Sequence, residues 1–219
     1  MPLPLPLLLL DLDNTLVDRD AAFRAAVVDF LAEYGLAAVD VGWVMDLDGG
    51  GYAARGEVAE AMADRYGDVV PVAAVRALLD GGGADRVVLA EDARDALVKA
   101  RAGGWSCGIV TNGRTAQQVA KMRTSGLDRL VQGWAVSEAV GHTKPDPEIF
   151  RAAADAVGVP LEGAWVVGDS PHADIAGAHA LGLRSVWVSG GRAWAADGYR
   201  PTHVAVDVAA AIHHVIRSA

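Results

Sequence analysis

Apolar residues in this chain fall into short unbroken runs, separated by longer stretches with helical spacing. The run Leu5–Leu10 stops at Asp11 and Asp13, and it reads as a strand buried on both faces. From Trp105 onward the two patterns alternate. Ser106–Thr111 predicts a strand, and the polar–apolar stretch from Gly113 to Gly126 predicts a helix. Trp134–Ser137 is a weaker strand candidate. Pro147–Val157 predicts a helix, with Asp146 as its cap and Pro147 at its first position. Trp165–Asp169 is the next strand, Ala173–Leu181 a helix closed by Gly182, Arg184–Val188 a strand and Val206–Ile216 a closing helix. Repeated strand–helix units predict an α/β, Rossmann-like parallel sheet flanked by helices.

Between Val17 and Val88 the pattern changes. Ala21–Tyr34 has Phe23, Val27, Phe30 and Leu31 at helical spacing, Gly56–Tyr66 and Val72–Leu79 predict two more helices, and no strong strand stands out. This predicts a small all-helical insertion over 18–87 in an α/β core formed by 1–17 and 88–219. The helix Asp92–Ala102 leads back into that core. Within the insertion, Asp46–Arg55, with Gly49, Gly50 and Gly51, reads as the most loop-like segment.

Composition narrows the function classes. Hydrophobic residues are 52% and charged residues 21% of 219, so a packed domain is expected rather than a disordered chain. A formal charge of −9 argues against nucleic-acid partners, which call for a basic surface. Cys107 is the one cysteine, which fits a reducing cytoplasm, and its apolar neighbours predict a core thiol. Met1–Leu10 is apolar and proline-rich but lacks a basic start and is too short for a bilayer, so no membrane segment is expected. The six tryptophans are scattered, and most are expected in packing.

Ligands of such sheets bind beyond the carboxyl ends of the strands, and the chemistry-bearing residues fall there. Asp11 and Asp13, at i and i+2, project to one side of an extended chain. One can attack phosphorus and the other can pass a proton to the leaving oxygen, then take one from water. A plain turn after a strand uses the same residue types. Thr111, Asn112 and Gly113 offer a hydroxyl, an amide and backbone N–H groups for a phosphate, or an ordinary helix cap. Lys144, before a capped helix, is a point cation for phosphate or a solvated loop residue. Asp169 and Asp174 offer hard oxygen ligands for Mg²⁺, and Asp174 also suits a helix dipole. Like charges about 4 Å apart repel by roughly 4 kcal/mol at an effective dielectric of 20. Four converging aspartates therefore call for a divalent cation, with Lys144 opposite.

Together these motifs, in this order, resemble the haloacid dehalogenase superfamily in its phosphatase branch, with the insertion resembling that superfamily's helical cap. The resemblance implies an aspartyl-phosphate route in which Asp11 is the nucleophile and Asp13 the general acid/base. It implies Mg²⁺ held by the Asp11 side chain, the Asp13 carbonyl and the Asp169 side chain, with Asp174 in support. Thr111, Asn112 and Lys144 would grip the phosphate, and Thr15 would stabilise the loop after Asp13. Asn14 stands where many relatives have Gly, and Asn tolerates left-handed backbone. Dehalogenases of the superfamily lack the second aspartate, so Asp13 favours a hydrolase of small phosphorylated metabolites. The alternatives are a phosphomutase or 2-haloacid dehalogenase of the same superfamily, or a non-catalytic phosphometabolite-binding domain. The segment Asp46–Arg55 is expected to face the active site, with Tyr52 or Arg55 touching the leaving group. His142 and His172 are expected to be spectators. The particular substrate and the oligomeric state are not encoded in any visible motif.

Overall fold

The computed structural model describes residues 6–218. Residues 18–87 form one compact unit, and the chain before and after them forms the other. In the second of these, Leu7–Leu10 (β1) is flanked by Ser106–Thr111 (β2) and Trp165–Gly168 (β4). The sheet is wholly parallel in the order β3-β2-β1-β4-β5-β6. Here β3 is Gly133–Val136, β5 Arg184–Val188 and β6 His203–Ala205. The chain runs outward from β1 to β3 and then returns beside β1 as β4, so the order reverses between β1 and β4. Parallel strands end on one edge, and such a reversal opens a crevice there.

Burial explains the unbroken apolar runs. Leu7 and Leu9 pack in a cluster with Ile149, Phe150 and Ala153 of Pro147–Val157 (α8). Leu8 and Leu10 point to the opposite face, and all four leucines are buried. On that unit the helices Glu91–Ala102 (α5) and Val208–Arg217 (α10) pack together, α5 against β2 and α10 against β4. A strand covered on both faces cannot alternate in polarity. Cys107 is buried on β2 as expected, and burial pushes its thiol up to about 12.

The helical unit holds α1 (Arg19–Glu33), α2 (Asp40–Asp48), α3 (Arg55–Tyr66) and α4 (Val72–Gly81). Its core joins Phe23, Val27, Phe30 and Leu31 of α1 to Val44, Val58, Met62, Tyr66 and Leu79. The Arg19 guanidinium is buried and gives two hydrogen bonds to Asp48, at 2.5 and 2.8 Å. Asp48 also accepts from the Gly51 N–H at 2.8 Å. No helix among the described residues is long and apolar enough to cross a membrane.

Several expected boundaries are corrected. The first strand begins at Leu7, after Pro6, whose carbonyl accepts from the Ser106 N–H at 2.9 Å but which has no N–H to give. Leu5 with the prolines before it lies outside the described residues. The candidate Trp134–Ser137 is shifted to Gly133–Val136, and Ser137 opens the short helix Ser137–Val140 (α7). The strand at Trp165 stops at Gly168, and the predicted helix Ala173–Leu181 is a π-type turn, Pro171–Ile175, running into Ala176–Ala180 (α9). The closing helix starts at Val208 because Asp207 caps it, accepting from the Ala210 N–H at 2.7 Å. Asp46–Arg55 is less of a loop than expected: Asp46–Asp48 end α2, Gly49–Gly51 form a 3₁₀ turn and Arg55 opens α3. Of the tryptophans, 105, 165 and 187 are buried, but Trp134 is exposed on β3.

Candidate active site

Asp11 is the first residue past β1, and its N–H donates to Val167 O at 2.9 Å, continuing the pairing with β4. Its carboxylate is buried, and both oxygens are engaged. Thr15 Oγ1 donates to Oδ2 at 3.0 Å, and Lys144 Nζ donates to Oδ1 at 2.5 Å. The same ammonium donates to Asp174 Oδ1 at 2.7 Å. Thr15 in turn accepts from the Asp169 N–H at 3.0 Å, so one hydroxyl ties the end of β1 to the end of β4. Between Asp11 and Thr15 the chain reverses sharply. Asn14 adopts φ 59° there, the left-handed conformation that Asn tolerates.

Asp174 is held from two sides. The Ser170 N–H donates to its Oδ2 at 3.0 Å. A Cβ on Gly168 would lie 2.2 Å from its carboxylate, so only glycine at the end of β4 leaves room for it. Asp169 carries Arg192, which donates to its Oδ2 at 3.1 Å and to its carbonyl at 2.9 Å. Trp187 Nε1 donates to that carbonyl at 2.9 Å as well.

Oxygens of Asp11, Asp169 and Asp174 lie within 4.8 Å of one another. Burial raises the Asp11 carboxyl to about 7, against the pull of Lys144 and with the charges of Asp174 and Asp13 adding to it. Burial likewise raises Asp169 to about 6, and it raises Asp174. Burial alone would discharge Lys144, but Asp11 and Asp174 outweigh it and hold the ammonium charged. Lys144 bonds Asp11 and Asp174 and Arg192 bonds Asp169, so three carboxylates face two cations and the group is under-neutralised. Such a set of hard oxygen donors fits a hard divalent cation.

The remaining predicted residues fall around this centre. Lys144 and Asn112 are locked backbone to side chain: the Lys144 N–H donates to Asn112 Oδ1 at 2.8 Å and Asn112 Nδ2 to Lys144 O at 3.2 Å. The Gly113 N–H, at φ 144°, donates to Ser137 Oγ at 2.9 Å. The hydroxyl of Thr111 is buried and accepts from Gln118 Nε2 at 2.6 Å. Asp146 caps α8 and pairs with His142 at 2.7 Å, whereas His172 meets the Tyr199 hydroxyl at 3.3 Å. Tyr52 and Arg55 belong to the helical unit, where Tyr52 is exposed and Arg55 starts α3.

Asp13 departs from the expected pairing. Its two oxygens each accept from Lys121 Nζ at 2.7 Å, and Oδ2 also accepts from Gln118 Nε2 at 3.0 Å. Lys144 is therefore not the lone balancing cation. Lys121 and Gln118 lie on Thr115–Ser125 (α6) and are buried. Their i, i+3 spacing places them on one helix face. In sequence they are indistinguishable from polar residues of a solvated face, which is why the motif reading passes over them.

A sheet reversing beside β1, with an aspartate at the end of that strand and a caged lysine opposite, defines an α/β protein with a buried acid–ammonium site at its strand ends. The family model for haloacid dehalogenase-like hydrolases matches residues 8–188, and this chain belongs to that family. Over 106 residues it is 40% identical to a phosphoserine phosphatase of Thermus thermophilus, a match covering 48% of this chain and 43% of that protein. Over 99 residues it is 31% identical to (S)-2-haloacid dehalogenase 4A of Burkholderia cepacia, covering 45% and 42%. These matches span less than half the length of the curated relatives. The magnesium-bound structure of YfnB from Bacillus subtilis superposes with a TM-score of 0.76 at 22% identity, covering 98% of this chain and 99% of that one. At that identity the likeness is one of fold.

Proposed function

We propose that this protein is a phosphohydrolase that cleaves small phosphomonoesters through a phosphorylated Asp11, with Mg²⁺ as its metal. The observation that carries this is the setting of Asp11: buried at a strand end, 2.5 Å from Lys144, grouped with Asp169 and Asp174, and followed two residues on by Asp13. The phosphatase among its relatives supports the same choice.

In this reading an Asp11 oxygen attacks phosphorus and the ester P–O bond breaks, while Asp13 gives its proton to the departing alcohol oxygen. Asp13 then takes a proton from water, whose oxygen attacks the aspartyl phosphate and releases inorganic phosphate with Asp11 restored. Lys144 neutralises phosphoryl charge and orients the attacking carboxylate. The Asp11 and Asp169 carboxylates and the Asp13 carbonyl would hold Mg²⁺, with Asp174 in support. When bound it would supply further charge neutralisation and alignment. Thr111, Asn112 and the Gly113 backbone shape the phosphate loop. In the helical unit, the proposed cap, Tyr52 and Arg55 are our candidates for leaving-group contact. A lone cysteine, Cys107, fits a cytoplasmic setting.

Dehalogenation also begins with an aspartate, but its halide leaves without a proton. Asp13 would then have no task. The test is release of p-nitrophenol from p-nitrophenyl phosphate, with Mg²⁺ and with EDTA. We expect metal-dependent turnover that Asp11→Asn lowers by at least about 10³-fold. Turnover that survives Asp11→Asn would sink the proposal. Phosphate passed to a second sugar phosphate instead of water would make the protein a mutase.

A further inference from the structure

Lys121 has no part in the chemistry described so far, yet its ammonium is placed as deliberately as that of Lys144. Its side chain is 2% exposed, and Nζ lies 2.7 Å from both oxygens of Asp13, whose side chain is 26% exposed. A lysine ammonium is strongly hydrated, and burying it is unfavourable unless a partner restores the lost interactions. An apolar side chain at this place on α6 would pack without that cost. What Lys121 adds is a fixed hold on one carboxylate.

Gln118, one turn earlier, reinforces the hold. Its Nε2 reaches Asp13 Oδ2 at 3.0 Å, Thr111 Oγ1 at 2.6 Å and Asn112 O at 3.1 Å. Its Oε1 is left buried without a hydrogen-bond partner. Turning the amide round would face that oxygen toward the Asp13 carboxyl group and the Asn112 carbonyl, so these two acceptors dictate the orientation. The hold continues onward, because Asn112 binds the backbone of Lys144 and Lys144 binds Asp11. A single chain of contacts thus connects the proton-carrying aspartate to the attacking one.

We propose that Lys121, assisted by Gln118, is a positioning residue that keeps the Asp13 carboxylate aimed for proton transfer; this rests on the phosphohydrolase reading. Lys121 need not touch substrate. It acts through Asp13, so its loss should imitate loss of Asp13 and not loss of phosphate binding.

The experiment compares wild type, Lys121→Met, Lys121→Arg, Asp13→Asn and the Asp13→Asn/Lys121→Met double variant on aryl phosphates whose phenols grow more basic. Lys121→Met is expected to lower kcat by roughly tenfold to a hundredfold, less than the whole contribution of a general acid or base. KM should stay within about twofold, and the loss should grow with phenol basicity, as it does in Asp13→Asn. Lys121→Arg should recover most of the rate, and the double variant should be no slower than Asp13→Asn. Equal loss on every ester, or losses that multiply in the double variant, would overturn the proposal. If Lys121→Met does not fold, Gln118→Ala should show the same leaving-group trend more weakly, and wild-type rates on every ester would count against it. Should wild type hydrolyse no aryl phosphate, the phosphohydrolase reading fails by itself. The hold on Asp13 is then read from urea unfolding of the same variants: non-additive changes support it, and additive ones overturn it.

Discussion

Lys144 and Asp11 face each other across 2.5 Å with side chains only 3% and 8% exposed, and Lys144 reaches Asp174 at 2.7 Å from the same nitrogen. The pair comes from residues 133 positions apart in sequence. It is the point at which the stability of this fold and the chemistry proposed for it depend on the same atoms.

Removing the ammonium should therefore be felt in both. In Lys144→Ala, Asp11 and Asp174 are left as buried carboxyls with no ammonium between them. Breaking a buried pair from one side costs about 3–5 kcal/mol. Urea unfolding without metal should show a loss of that order, together with loss of turnover. A change below about 1 kcal/mol would mean that the carboxyls are better solvated than their burial implies.

The acid cluster should make metal-free stability depend on pH in a defined sense. Asp11 rises from an ordinary 3.8 to about 7, and Asp169 from 3.8 to about 6. A carboxyl that holds its proton more tightly when folded favours the folded state fully below its ordinary value. That advantage is lost as pH climbs through its folded value. With EDTA, Tm should fall between about pH 4 and pH 7.5. Added Mg²⁺ should raise Tm more at about pH 8 than at about pH 5, because the metal binds the ionised acids. Equal Mg²⁺ shifts at the two pH values would count against a metal site built on these groups.

Gly168→Ala should act on the same cluster by crowding. The added methyl carbon would sit 2.2 Å from the Asp174 carboxylate, so Asp174 must shift from its place in the cluster. Displacing a supporting group of a metal site lowers affinity by about 10- to 100-fold. Isothermal titration with Mg²⁺ would detect this, and unchanged affinity would show that Asp174 gives the metal no support.

In the helical unit, Asp48→Ala strips the buried Arg19 guanidinium of its bidentate partner and frees the Gly51 N–H. The cost should be about 3–5 kcal/mol. It should be local, with amide exchange speeding up within 18–87 more than in β1, β2 and β4. Uniform acceleration throughout the chain would show that the two units unfold as one.

Much of the α/β unit is legible in one dimension because its determinants are local. Unbroken runs such as Leu7–Leu10 and Ser106–Thr111 signal strands covered on both faces, and Asp146-Pro147 carries the start of α8 in two residues. Other elements lack such signals. α2 contains Gly42 and β-branched residues, and it is helical because Val44 and Trp43 pack against the α1 and α3 side chains. β6 is three residues long and exists by pairing with β5.

By itself, the order of residues determined which side chains stand at the ends of β1, β2 and β4, because strand periodicity and turn chemistry act over a few neighbours. Tertiary structure alone decided which cation meets which acid. Lys121 lies 108 positions from Asp13, and nothing in its own helix marks it as buried. Electrostatic pairing depends on distance through space, and that distance is set only once the helices have closed over the sheet.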